Sequence, residues 1–244
     1  MKTETGATST VKLFSETLKF HASLRVGKSP EAISFSILNS QFSMHHLNHL
    51  VHYRKLWYNQ STMMLKPIEF TLKDGQRAVL KSATTEDASE MLSYITQVSG
   101  ETPFLLGTRE EFEQVSPETE KSIIQGTNDS PDKFFITCFI DGKVVGNGHI
   151  FFNSKSKLKH RATCGIAILK DFWNLGIGTK IFETIIELSK QCGVSQIELN
   201  FVEGNTRARA LYEKMGFKIV GVVPKAIRLS DGTFLDEYMM VKWL

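Results

Sequence analysis

The stretch DFWNLGIGTKIF, Asp171 to Phe182, follows the apolar run GIAIL and opens a helix-spaced series. Ile177, Ile181, Ile185 and Leu188 recur on one helical face and predict a buried stripe. Gly176 and Gly178 stand at the start of that helix, although glycine costs roughly 1 kcal/mol relative to alanine inside a helix. Either the chain turns tightly there, or something must approach the backbone closely. A helix N-terminus presents unpaired N–H groups and a partial positive charge. A bare backbone there suits an anion, above all a phosphate or pyrophosphate. The spacing is not GxxxxGK[ST], and it is not GxGxxG, because Gly178 is followed by Thr179, Lys180 and Ile181. A GxG alone fits close helix–sheet packing equally well.

Outward from this turn the pattern is regular. SQIELNFV reads as a strand, and NTRARALYEKMGF as a helix capped by Asn205 and ended by Gly216. KIVGVVPKAIRL and FLDEYMMVKWL close the chain as two strands around SDGT. Upstream, IEFTLKDGQRAVLKSAT holds an Asp-Gly turn between β-like runs, and TTEDASEMLSYITQVSG predicts a helix capped at Thr84 or Thr85 and stopped at Gly100. TREEFEQVSPETEKSIIQG predicts one or two helices with a boundary at Ser116-Pro117. KFFITCFI, DGK and VVGNGHIFF form a hairpin, SKSKLK a basic turn and HRATCGIAIL a further strand. The order ββααββ-β-α-β-α-ββ is an α+β fold with a mixed, mainly antiparallel central sheet flanked by helices. Within it GIAIL, the helix and IELNFV form a βαβ unit.

GIAILKDFWNLGIGTKIF followed by NTRARALYEKMGF resembles the GCN5-related N-acetyltransferase (GNAT) family over roughly residues 76–244. The resemblance implies that acetyl-CoA is the acyl donor and that no metal is needed. It implies that Asn174, Leu175, Gly176, Ile177, Gly178 and Thr179 grip the pyrophosphate. Ile166, Ala167 and Ile168 would pair with the pantetheine arm, beside a slot where that strand splays from IELNFV. Asn205 corresponds to an asparagine that contacts CoA, and Tyr212 to the tyrosine that protonates the departing thiolate. Two positions depart from the family pattern. Trp173 stands where the turn usually opens on Gln or Arg, as in relatives with a YWGKGIG-like turn, leaving the phosphates to backbone N–H groups with Lys170 and Lys180 as outer contacts. Asn200 stands where some relatives carry a glutamate base. The other proton acceptors nearby are Glu198 and Glu203, with His149 and His160 more distant.

The expected reaction is acetyl transfer to a primary amine of a small molecule or peptide, by direct attack in a ternary complex. An amine of pKa about 10.4 is mostly protonated at pH 7, and reaching its neutral form costs roughly 4–5 kcal/mol. The site therefore needs a proton acceptor, and a backbone N–H of the IAIL strand suits the oxyanion. The alternative is a non-catalytic CoA-binding regulatory module on the same fold, which Asn200 favours. Glu101, Glu110 and Glu111 would suit a cationic acceptor, but they equally fit as helix charges on a solvated face.

The 244 residues carry a net charge of +3, which gives no reason to expect a nucleic-acid partner. No run of 18 apolar residues implies a membrane span. Cys138, Cys164 and Cys192 sit in apolar contexts and read as reduced thiols of a cytoplasmic protein. Residues 1–62 hold seven of the 29 basic and three of the 26 acidic residues, leaving 22 and 23 in the rest. They read as an N-terminal extension, either disordered or absent from a native product that starts near Met63 or Met64. Residues 63–244 would then form the acetyltransferase domain that the resemblance implies. The front segment has only two arginines (Arg25, Arg54) and an early acid, Glu4, which argues against a transit peptide. His45 and His49 are one helical turn apart, but no acid or cysteine stands beside them, so they read as a polar face rather than a metal site. A homodimer through the last strands is left open.

Overall fold

A computed structural model describes residues 64–244 and the strand at 58–59. The readings made on the first 57 residues, including the histidine pair, lie outside the described residues. Tyr58–Asn59 (β1) pairs antiparallel with Met64–Leu65 (β2), so the expected domain boundary at residue 63 falls between these two strands.

The main sheet has eight strands: Ile68–Thr71 (β3), Arg77–Lys81 (β4), Lys133–Ile140 (β5), Lys143–Phe152 (β6), Arg161–Ile168 (β7), Gln196–Val202 (β8), Lys218–Arg228 (β9) and Phe234–Trp243 (β10). Their order is β3-β4-β5-β6-β7-β8-β10-β9. Every neighbouring pair is antiparallel except β7 and β8, the two strands of the βαβ unit. The tight turn between β5 and β6 is made by Asp141 and Gly142, both at positive φ, the conformation a two-residue hairpin requires.

Between β4 and β5 the chain forms three helices: Ala88–Glu101 (α1), Arg109–Glu113 (α2) and Pro117–Asn128 (α3). Thr84 caps a short 3₁₀ turn before α1, in a reciprocal arrangement in which Asp87 accepts from the Thr84 N–H at 2.8 Å. Ser116 caps α3 with Pro117 in its first turn, so the Ser-Pro boundary does divide two helices. The expected stop at Gly100 is one residue early. Gly100 lies in the last turn of α1, where a Cβ would come within 3.1 Å of Arg109, so that glycine admits a neighbour rather than turning the chain.

Helix Ile177–Gln191 (α4) and helix Thr206–Lys214 (α5) cover the opposite face of the sheet. Ile177, Ile181, Ile185 and Leu188 are at most 1% exposed, as their spacing predicts. Burial of each contributes at most about 1.5–3 kcal/mol. Gly148 on β6 makes room for this stripe, because a Cβ there would collide with Ile181. On the α1 side, Met91, Tyr94 and Val98 pack against Phe139, Val144 and Leu169.

Candidate active site

The parallel ladder between β7 and β8 contains only Arg161–Gln196, Ala162–Ile197 and Thr163–Glu198. Beyond Thr163 the strands part. Cys164 to Ile168 remain paired with β6, while Leu199 to Val202 continue beside β10. The paired end is reinforced by a short two-pronged ion pair, in which Arg161 Nε and Nη2 donate to the carboxylate of Glu198. This bond holds Glu198 below its usual carboxylate range, and Gln196 donates to the same group at 2.7 Å. Glu198 is therefore a brace, and it is not available as a base.

The unpaired edge of β7 is specific about which groups it offers. Tyr94 reaches from α1, donates to the Ala167 carbonyl at 2.8 Å and accepts from the Asn147 N–H at 3.1 Å. Leu169 N–H bonds Val145 on β6 at 3.0 Å. Residues 167 and 169 thus turn their backbone toward β6, and by strand alternation Ile166 and Ile168 turn theirs toward the gap. Trp173 Nε1 donates to the Ile168 carbonyl at 2.7 Å. The Ile166 amide and carbonyl and the Ile168 amide are left facing the slot.

At the open end of the slot lies the glycine turn. Asn174 (φ 66°) and Gly176 (φ 104°) are both left-handed, and Gly176 is the N-cap of α4. A Cβ on Gly176 would touch nothing, so its glycine serves the backbone conformation. Gly178 differs: a Cβ would lie 2.8 Å from Leu211 of α5, so its missing side chain permits helix packing rather than anion approach. The first in-helix bond is Lys180 N–H to Gly176, leaving the N–H groups of Ile177, Gly178 and Thr179 without helical acceptors. The Lys73 N–H bonds the Leu175 carbonyl at 3.1 Å and braces the turn from the β3–β4 hairpin.

Charge at this turn comes from residues the sequence reading missed. Arg207 of α5 donates to Asn174 Oδ1 at 2.9 Å and stacks 4.3 Å above the Trp173 ring. Lys214 donates to Thr179 Oγ1 at 3.1 Å. Trp173 supplies no charge itself, but it holds a guanidinium where the usual Gln or Arg is missing. Lys180 is in part turned to Glu183, and Lys170 lies 6.0 Å from the Trp173 ring. Nothing in the spacing alone would have linked Arg207 to Trp173, because the contact needs α5 to lie against the turn.

Asn205 caps α5 by accepting the Ala208 N–H at 3.2 Å, which leaves its amide NH₂ for another acceptor. Tyr212 is 5% exposed, set among Phe182, Phe201 and Phe217 at ring separations of 5.5 to 6.3 Å and close to Cys164, the first β7 residue past the ladder. Burial raises its pKa beyond the ordinary phenol range, so it stays protonated. Burial also pushes the Cys138 thiol up to about 12 and the Cys164 thiol higher, which makes both inert.

His149 of β6 lies opposite Gly165, stacked on Phe151 at 4.7 Å, and fills the space a Gly165 Cβ would take. Burial lowers its pKa and keeps it neutral. Glu101 accepts the Lys170 N–H at 2.7 Å, and Glu111 closes the capping box of α2, so these acids do local structural work. Glu203 accepts the Asp236 N–H at 3.2 Å. A shallow groove of about 530 Å³ lies elsewhere, on the outer side of α1 and α2, and has none of this chemistry. Among the described residues no three His, Cys, Asp or Glu side chains cluster as a metal site, and no helix is long and apolar enough to cross a membrane.

A strand pair that opens over a buried tyrosine, with a helix N-terminus at its mouth, has counterparts among known proteins. The profile described as the Acetyltransferase (GNAT) family matches residues 102–217. An L-amino acid N-acetyltransferase of Escherichia coli K12, AaaT, is 32% identical over 111 residues, which is 45% of this chain and 67% of that protein. The chain belongs to the GNAT family of acyl-CoA-dependent acetyltransferases. A GNAT acetyltransferase structure from Streptococcus pneumoniae matches with a TM-score of 0.64 and 26% identity, over 68% of this chain and 99% of that one. The structure of yncA from Salmonella typhimurium, which holds its cofactor acetyl-CoA, shares the fold at a TM-score of 0.59 and 15% identity, over 68% and 94% of the two chains. The chain spans only 46% and 44% of two further curated relatives that it matches, from Arabidopsis thaliana and Xenopus tropicalis.

Proposed function

We propose that this GNAT protein transfers the acetyl group of acetyl-CoA to a primary amine of a small molecule or peptide, by direct attack in a ternary complex. The observation that carries the reading is the end of the β7–β8 ladder at Thr163 and Glu198, past which Cys164 lies close to Tyr212 and β7 leads into the turn that opens α4. The name of the E. coli relative supports a small-molecule amine as one acceptor class. In this reading residues 63–244 are the transferase domain and residues 1–62 an extension to it.

The pyrophosphate sits on the N–H groups of Ile177, Gly178 and Thr179, with Asn174 and Leu175 shaping the turn and Arg207 and Lys214 supplying charge. The pantetheine arm runs as a strand along Ile166 to Ile168, and the Asn205 amide contacts it. The amine lone pair forms a C–N bond at the thioester carbon. The carbonyl pair moves onto oxygen, where the Ile166 N–H stabilises it. The C–S bond then breaks, its electron pair goes to sulfur, the nitrogen gives up one proton, and the Tyr212 hydroxyl supplies the proton that yields the CoA thiol; Tyr212 regains a proton from water before the next turnover. A buried phenol this reluctant to ionise acts first as a hydrogen-bond donor and releases its proton only as charge builds on sulfur.

The test follows CoA thiol release by the full chain with acetyl-CoA and a panel of the standard L-amino acids, spermidine and a tripeptide amide. Amine-dependent release supports the reading. Binding of acetyl-CoA with no release favours a regulatory CoA-binding module.

A further inference from the structure

We propose that Glu237 takes up the proton that the attacking nitrogen loses, held at the slot by Asn200. The inference rests on the acetyltransferase reading above. Strand register sets up the geometry. Gly165 lies two residues past the last ladder pair on β7, and Asn200 lies two residues past it on β8, so they face each other across the slot. Asn200 is opposite Met239 of β10, and Glu237 is opposite Val202, which puts Asn200 and Glu237 on the same face of the sheet. That face is the one opposite α4 and α5, since the alternate residues Ile197, Leu199 and Phe201 enter the core beneath those helices. Asn200 Nδ2 donates to Glu237 Oε2 at 3.1 Å. An amide cannot accept a proton, but as a donor it fixes a carboxylate beside itself.

Glu198, Glu203 and His149 are placed or held elsewhere, and His160 precedes Arg161 at the sealed end of the ladder, away from the slot. Glu198 is held by Arg161 and Gln196. Glu203 lies beyond the end of β8, where it accepts the Asp236 N–H, and Asp236 accepts the Lys225 N–H at 2.8 Å. His149 lies flat against Phe151, and its burial disfavours the imidazolium that a base must become. Glu237 is half-buried, so a proton it takes can pass on to water.

The timing follows from acidity. A carboxylate is too weak a base to strip a free ammonium ion, so the amine enters neutral. Once the C–N bond forms, the nitrogen carries positive charge next to an oxyanion and becomes far more acidic. At that point an N–H bond breaks, its electron pair stays on nitrogen, and the proton moves to Glu237, directly or through one water. The amide product leaves neutral and Glu237 returns the proton to solvent.

The experiment compares the wild-type full chain with Glu237→Gln, using acetyl-CoA and the fastest amine from the panel. Gln keeps the acceptor oxygen for Asn200 but cannot take the proton. The expected result is a kcat about 10²- to 10⁴-fold lower, the usual share of a positioned base, with an unchanged Kd for acetyl-CoA. In Glu237→Ala, added formate should restore part of the rate while equal chloride does not, which a purely structural role would not produce. A wild-type kcat in Glu237→Gln, or an Ala variant that folds and does not respond to formate, overturns the assignment and leaves the acetyltransferase reading intact. A wild-type chain that acetylates none of the amines overturns both.

Discussion

The two halves of β7, Arg-Ala-Thr at 161–163 and Cys-Gly-Ile-Ala-Ile at 164–168, have opposite fates. Arg161 to Thr163 are sealed against β8 by a ladder and by the Arg161–Glu198 ion pair. Cys164 to Ile168 keep their β6 partner and lose β8. The difference lies in what sits beneath: past Thr163 the ring of Tyr212 comes up from α5, close to Cys164 and against Phe201. The slot in this sheet is thus an interrupted strand pairing, clamped at one end and wedged at the other. The open half also bears the unpaired amides of Ile166 and Ile168, so the same interruption makes both the space and the hydrogen-bonding groups that line it.

A substitution at the wedge should have the largest effect. Tyr212→Phe keeps the ring packing and removes the proton donor, so kcat should fall about 10²- to 10⁴-fold, or ~3–5 kcal/mol of barrier, with little change in melting temperature. Unchanged turnover would remove Tyr212 from the reaction. Next is the floor of the sheet: Gly148→Val drives a side chain into Ile181, which is 0% exposed, and should destabilise the fold by about 1–3 kcal/mol in a urea titration. The mouth is more forgiving. Gly176→Ala forces a left-handed alanine at the N-cap of α4, costing roughly 1–2 kcal/mol, and acetyl-CoA affinity should weaken along with stability.

The clamp should give the smallest effect and the one with a pH signature. Arg161 holds the folded-state pKa of Glu198 below its unfolded value. The stabilisation is then complete above the unfolded value, about 4.3, and is lost as pH falls through the lower folded value. Glu198→Gln should lower the melting temperature at pH 7, and the gap to wild type should close as the acid range is entered. A gap that persists unchanged in acid would show that the clamp acts through packing alone.

The order of elements, the α4 stripe and the cap at Asn205 were legible because each is a local pattern of spacing and residue type. The glycine turn was legible only in part. Gly176 needs its conformation, which the sequence signals, but Gly178 answers to Leu211, a residue 33 positions later on another helix. Trp173 reads in the sequence as a loss of charge, but Arg207 of α5 stacks on its ring and restores a cation there. Glu237 was hidden for a topological reason: β10 inserts between β8 and β9, and no one-dimensional pattern fixes which residue of the last strand stands beside Asn200. Residues that act across elements far apart in the chain become visible only with register.

A calorimetric titration of acetyl-CoA into the full chain, repeated with Arg207→Ala, tests the slot and the glycine turn together. The slot and the turn predict one saturable site in the wild type, and a weaker site with a shallower salt dependence in the variant. A folded chain that shows no saturable binding would contradict the account, because the interrupted ladder and the helix N-terminus would then be packing features without a ligand.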